Sequence, residues 1–167
     1  MDTMRIMRGE PPRPTGDGFY RGKRWSARII IDGTRLRERV ETLLIKGDSV
    51  FLQFTDENSY RIPGGGTERY CSMMEQASRE CEEEIRVTPE RMEYFGYYIM
   101  PSNRMPEFYD GSCCHVFVGQ YGRKYHGYVA KDLQEAEMMR YGKFYRISDV
   151  ASKLKPAHLA AIKEYLG

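Results

Sequence analysis

The feature that most constrains this chain is the junction Pro63-Gly64-Gly65-Gly66, followed closely by the segment Ser72–Arg86. In that segment Met74, Ala77, Cys81 and Ile85 recur every three or four residues, which predicts one helix with a single apolar stripe. Such a stripe must be buried against another element. The helix is expected to stop near Val87-Thr88-Pro89, because a proline pushes the residue before it out of the α region. Strand-like segments flank it: Trp25–Asp32, Val40–Ile45, Ser49–Phe54 and the short Tyr60–Ile62 before it, then Glu93–Met100, Cys114–Tyr121 and Phe144–Ile147, with Tyr125–Ala130 a further candidate. Turn signals at Asp32-Gly33 and Gly47-Asp48 separate the first three. Lys131–Met139 is acidic and reads either way, and Lys155–Leu166 is a terminal amphipathic helix with Leu159, Ile162 and Leu166 on one side. The order of strands, helix, strands and helix predicts a mixed α/β (α+β) sandwich, not a run of βαβ units.

A length of 167 residues fits one domain. Residues 1–18, with Pro11, Pro12, Pro14, Gly16 and Gly18, read as an irregular arm, and residues 19–167 as the domain itself. No apolar run is long enough to span a membrane. The N-terminus lacks the apolar core of a secretory signal, so the expected location is cytoplasmic. The four cysteines, Cys71, Cys81, Cys113 and Cys114, form no C-x-x-C pair and read as reduced thiols. Cys113-Cys114-His115 alternate across a strand and so do not converge on zinc.

A net charge of +2 gives no strong sign of a nucleic-acid partner. Its distribution is more informative. Residues 1–39 carry ten Lys/Arg against five Asp/Glu, whereas residues 68–93 carry eight Glu against four Arg. Such an asymmetry fits a divalent-cation site with a positive surface nearby for an anionic substrate, or simply a solvated helix of mixed charge.

The helical wheel sharpens the first alternative. Glu80, Glu83 and Glu84 stand at i, i+3 and i+4 and share one face beside the apolar stripe, while Glu75, Glu82 and Arg86 take the solvent side. Like charges at these spacings repel, and a hard cation relieves them, since Mg²⁺ takes carboxylate oxygens, waters and substrate phosphates. Arg79 lies one turn from both Glu75 and Glu83 and can brace the cluster. The glycines upstream let the backbone turn sharply and come close to a ligand, with main-chain carbonyls free for a metal.

These residues resemble the Nudix box, G-x5-E-x7-R-E-U-x-E-E-x-G-U, where U is a bulky aliphatic. Gly65, Arg79, Glu80, Glu83, Glu84 and Val87 match it, over the span Gly65–Val87. Cys71 stands where the first Glu belongs, Cys81 replaces an aliphatic and Arg86 replaces a glycine. The resemblance implies a Nudix-type α/β/α sandwich with a mixed central sheet. It implies metal-dependent hydrolysis of a nucleoside diphosphate linked to another moiety, with Mg²⁺ or Mn²⁺ held by Glu80, Glu83, Glu84 and the carbonyl of Gly65. In the family the proton acceptor is a box glutamate or one in a later loop, which leaves Glu83, Glu135 and Glu137 open. The glutamate missing at Cys71 pairs with the box arginine elsewhere in the family; Glu68 or Glu75 stands near enough in sequence to replace it. The alternative function is a catalytically lapsed module that binds a nucleotide or regulates.

Substrate choice lies outside the box. Pro101 follows Val87 at roughly the distance seen in ADP-ribose pyrophosphatases of the family, in a loop with Glu107 downstream, which favours ADP-ribose or nucleotide-sugar-like substrates over a nucleoside triphosphate. The strands of Phe19–Asp32 resemble the meander that precedes the domain in those enzymes and allow a homodimer. Tyr98, with Tyr97 and Tyr109, flanks the loop as a face on which a base can stack. Arg104, Arg123 and Lys124 are candidate phosphate contacts, and Gly66 a point of close backbone approach.

If Cys71 is a structural position and Arg79 is held from within the helix, restoring the family residue with Cys71→Glu changes turnover by less than about tenfold, or roughly 1.4 kcal/mol in the barrier. A steady-state assay of the two proteins checks this, and an inert parent made active by Cys71→Glu overturns it.

Overall fold

The central strand is the one whose residues alternate between two hydrophobic faces. The computed structural model describes residues 5–9, 16–20, 23–67, 72–101, 109–124 and 130–167, with backbone alone for 16–20 and 23–28. Strand β3, Thr34–Lys46, sends Leu43 and Ile45 to one side of the sheet and Val40 and Leu44 to the other. Its second half is buried on both faces, with Leu43, Leu44 and Ile45 in sequence after the buried polar residues Glu41 and Thr42. Its first half, Thr34–Arg39, carries Arg35, Arg37, Glu38 and Arg39, so the predicted strand Val40–Ile45 marks only part of it.

Around β3 the sheet is mixed. The hairpin β1 (Gly16–Tyr20) and β2 (Lys23–Ile31) pairs antiparallel with the start of β3. Strand β4 (Ser49–Phe54) pairs antiparallel with its end and carries β5 (Tyr60–Arg61). The glycine strand β6 (Gly64–Gly66) pairs antiparallel with its middle, Arg39↔Gly66 to Glu41↔Gly64. On its other edge β3 runs parallel to β8 (Gly111–Lys124), which pairs antiparallel with β7 (Val87–Met100). Strand β9 (Lys143–Arg146) pairs with β4.

The helix α1, Met73–Ile85, and α2, Leu133–Tyr141, cover one face. The short turn α3 (Ile147–Val150), a 3-10 turn at Ala151–Lys153, and α4 (Pro156–Leu166) cover the other. Small residues set the approach of α1: Ala77 and Cys81 are fully buried against the sheet. The α/β/α sandwich expected from the sequence is therefore present. Among the described residues no helix is long and apolar enough to cross a membrane.

The boundaries differ where the chain uses tertiary partners. The N-terminal arm is not wholly irregular: β1 begins at Gly16, and Met7 exchanges backbone hydrogen bonds with Tyr97 at 2.7 and 3.1 Å. Arg8 donates to the Phe95 carbonyl and pairs with Glu164 at 2.9 Å. Gly96 makes this possible, since its φ is +129° and a Cβ there would strike the Met7 carbonyl. Strand β7 starts at Val87, earlier than expected, because it is bulged on both sides of Glu90 and so accommodates Pro89. Lys131–Met139 resolves into α2, started by Asp132, whose side chain accepts from the Glu135 N–H at 2.9 Å. The last strand ends at Arg146, and Ile147 opens a helical turn. The candidate strand Tyr125–Ala130 lies, except for Ala130, outside the described residues.

Arg86 caps α1 in the left-handed region, φ 60° and ψ 35°, and its N–H bonds the Cys81 and Glu82 carbonyls. This is the conformation a glycine adopts freely. Arg86→Gly is expected to raise the unfolding free energy by about 0.5–1 kcal/mol, read from urea denaturation. A loss of stability would show that the Arg86 side chain outweighs its backbone strain.

Candidate functional site

The acidic face of α1 meets the sheet at β6. Ser72 caps the helix, accepting from the Glu75 N–H at 3.1 Å, and this fixes the phase of the carboxylates that follow. A Cβ on Gly65 would lie 2.5 Å from Glu80 Oε1, so only glycine admits this carboxylate so close to the backbone. Gln76 Nε2 donates to the same oxygen at 2.8 Å. The Gly64 N–H donates to Glu84 Oε1 at 3.3 Å.

Glu80 and Glu84 are also hydrogen-bonded to each other. Two carboxylates can share a bond only if one carries a proton. Burial first, and then the Glu80 carboxylate, push the Glu84 carboxyl up to about 9, while burial raises Glu80 against the hydrogen bonds from Glu84 and Gln76 that lower it. Glu83 has turned to Lys131, with Oε1 2.8 Å from Nζ. The structure thus brings Glu80 and Glu84 together and holds Glu83 a little apart, on the side facing α2. Among the described residues no three His, Cys, Asp or Glu side chains are already gathered around one point.

The other sequence candidates are placed as follows. Arg79 lies on α1 among the box residues. Glu135 serves α2 itself: its Oε2 accepts from the Lys131 N–H at 2.6 Å. Glu137 approaches Arg61 at 3.9 Å, and its backbone carbonyl accepts from Gln53 at 3.1 Å. Both stand on a helix and not in a loop, because Asp132 caps the segment. Tyr98 is 0% exposed, with its hydroxyl donating to Glu41 Oε2 at 2.7 Å and its ring edge-on to His158. It is a core residue and offers no free face to a base. Gly66 lies in β6 opposite Arg39. Arg104, Glu107, Cys71 and Glu68 lie outside the described residues. Cys81, Cys113 and Cys114 are buried free thiols, the last two on opposite faces of β8.

Sequence reasoning passed over a buried polar chain on the other face. His158 Nε2 lies 2.8 Å from Glu41 Oε2, and His158 Nδ1 lies 2.7 Å from the Tyr60 hydroxyl, which accepts from the Lys155 N–H at 2.8 Å. Burial acts to raise the Glu41 carboxyl, but the His158 hydrogen bond and the charges of His158, Arg39 and Lys155 hold it down at about 2. The signal available in the sequence was Glu41, a carboxylate inside the predicted strand Val40–Ile45.

Opposite pH dependences follow. Glu41 is lowered in the fold, so its contribution is present above the ordinary carboxylate range and is lost as pH falls from about 4.5 to about 2. Glu84 is raised, so its contribution is full below about 4.5 and is lost as pH rises toward 9. In chelator, the melting temperature is expected to fall across that alkaline window, and Glu84→Gln to flatten the fall. An unchanged slope in Glu84→Gln would remove Glu84 as its source.

No sequence-family model matches the chain, and no curated protein matches it. Solved structures match in fold. A Nudix hydrolase from Nitrosomonas europaea superposes with a TM-score of 0.56 at 16% identity, covering 78% of this chain and 88% of that one. The E. coli ORF135 protein gives 0.54 at 14% identity, over 82% and 93%. The Nudix domain of Shewanella oneidensis NrtR, solved with ADP ribose, gives 0.53 at 16% identity, over 79% and 89%. With a mixed sheet between α1 and α4, and a glycine strand leading into α1, this chain has the Nudix fold.

Proposed function

We propose that the chain is a divalent-metal-dependent pyrophosphohydrolase cleaving a nucleoside diphosphate joined to another moiety. The observation that carries this is the seating of Glu80 and Glu84 against the backbone of Gly64 and Gly65. Paired carboxylates are hard oxygen donors, and they fit Mg²⁺ or Mn²⁺. Burial raises both carboxyls, and a bound cation would relieve the cost of their charge. Glu80, Glu83, Glu84 and the Gly65 carbonyl would hold the ion. It would neutralise the diphosphate and acidify a bound water.

The chain's own groups do the rest. Glu83 shares the helix face of the pair, and releasing Lys131 frees it to accept the proton of the attacking water. Glu135 is committed to the start of α2, and Glu137 points to Arg61, which makes them weaker candidates for that role. Water adds to one phosphorus and the P–O–P bond breaks, so ADP-ribose would give AMP and ribose 5-phosphate. ADP-ribose and nucleotide sugars are the first substrates to test: the family resemblance around Pro101 favours them, and a domain of like fold holds ADP ribose.

The test is a panel of ADP-ribose, nucleotide sugars, dinucleoside polyphosphates, 8-oxo-dGTP and capped RNA, each with Mg²⁺ or Mn²⁺. Turnover of at least one compound, abolished by chelator, is expected. Glu83→Gln and Glu84→Gln should each lower kcat by about 100-fold or more with an unchanged circular-dichroism spectrum. Unchanged activity in both variants sinks the assignment. Binding without turnover across the panel would make the chain a nucleotide-binding module.

A further inference from the structure

Arg39 stands out among the charged side chains of the sheet. Arg35, on the same strand, meets Asp110 with two guanidinium nitrogens, at 3.3 and 3.2 Å. Among the described residues Arg39 has no such arrangement, and its Nε is buried there without a hydrogen-bond partner. The carboxylates whose charge reaches it are Glu41 and Glu84. Both are served by other donors. Glu41 Oε2 receives the Tyr98 hydroxyl and lies 2.8 Å from His158 Nε2, while Glu84 Oε1 receives the Gly64 N–H. A buried donor without an acceptor is uncommon in a native fold and points to a missing partner.

The surroundings define what that partner is. Arg39 pairs across the ladder with Gly66, and Glu41 with Gly64. Directly paired residues share a face, so β6 presents no side chain beside Arg39 and leaves a strip of bare backbone there. A second cation, Lys155, lies on the same side, with Nζ 3.5 Å from the Tyr98 hydroxyl. Its charge, like that of Arg39, acts on Glu41. Glu84 reaches this strip from α1. A planar guanidinium beside bare backbone suits the oxygens of a phosphate group.

We propose that Arg39, backed by Lys155, holds an oxygen of the substrate's diphosphate next to the α1 carboxylates. This rests on the pyrophosphohydrolase reading for the identity of the ligand, but its test does not need turnover. Methylenebisphosphonate, a non-hydrolysable diphosphate, is titrated calorimetrically into the folded protein with Mg²⁺ present. Arg39→Gln should weaken binding about tenfold, or roughly 1.4 kcal/mol, with a smaller loss in Arg39→Lys and in Lys155→Gln. Where a substrate is turned over, KM should rise with kcat within about threefold. An Arg39→Gln variant that is folded and binds equally well overturns the proposal, and so does a wild type that does not bind the probe. If Arg39→Gln does not fold, Arg39→Lys decides: equal binding overturns the proposal and weaker binding supports it. A wild type that binds the probe but hydrolyses nothing refutes the pyrophosphohydrolase reading and leaves the Arg39 site standing.

Discussion

The acidic face of α1 depends on how close the helix can come to the backbone of Gly64–Gly66. A side chain at Gly65 would occupy the place of the Glu80 carboxylate, and one at Gly64 would strike the Val40 carbonyl on β3. Three residues without Cβ atoms therefore let a strand be thin enough to lie between β3 and α1. From this closeness come the Glu84 contact with the Gly64 N–H, the burial of the carboxylate pair and the upward shift of the Glu84 carboxyl. Burial without the glycines would strand these charges, since an unpaired buried carboxylate is strongly disfavoured.

Strand β3 carries a hydrogen-bonded polar group on each face. On the α4 side, Glu41, His158, Tyr60 and Tyr98 tie β3, α4, β5 and β7 together. On the α1 side, Thr67 donates to Glu38 Oε1 at 2.6 Å, His115 lies 3.3 Å from Glu38 Oε2, and Tyr94 bonds His115 at 2.9 Å. The second group anchors the chain where it leaves the glycine strand, because the Thr67 N–H also bonds the Glu38 carbonyl at 3.1 Å. Apolar contact is tolerant of small slips, but a polar network satisfied in one register is not. The networks thus help to fix where β6 and α4 sit on the sheet, and with them the edge where Arg39 and Glu84 approach each other.

Much of this was legible in particular residues. Ser49–Phe54 is bounded as its apolar run and the turn signal at Gly47-Asp48 predict, and Met73–Ile85 lies within the predicted helix, because local signals dominate there. Arg86 stands where the Nudix box has a glycine, and it adopts the left-handed conformation a glycine takes easily, φ 60°. Tyr98 shows where such reading fails. An aromatic beside a loop looks like a stacking surface in sequence, yet its neighbours in space are Glu41 and His158, 57 residues from Tyr98 in the one case and 117 residues from each other.

By itself the sequence determined the local events: a glycine break, a helix with one apolar and one acidic face, and strands of given period, because these depend on residues within a turn or two of one another. It also fixed which carboxylates share a face. Only the tertiary structure decided what those carboxylates meet. Glu83 faces Lys131 because α2 packs on α1, the Glu84 carboxyl is raised because it is buried beside β6 and Glu80, and among the described residues Arg39 has a buried nitrogen without an acceptor, since β6 offers it no side chain. Each of these rests on burial and on partners distant in the chain, and periodicity carries no information about either.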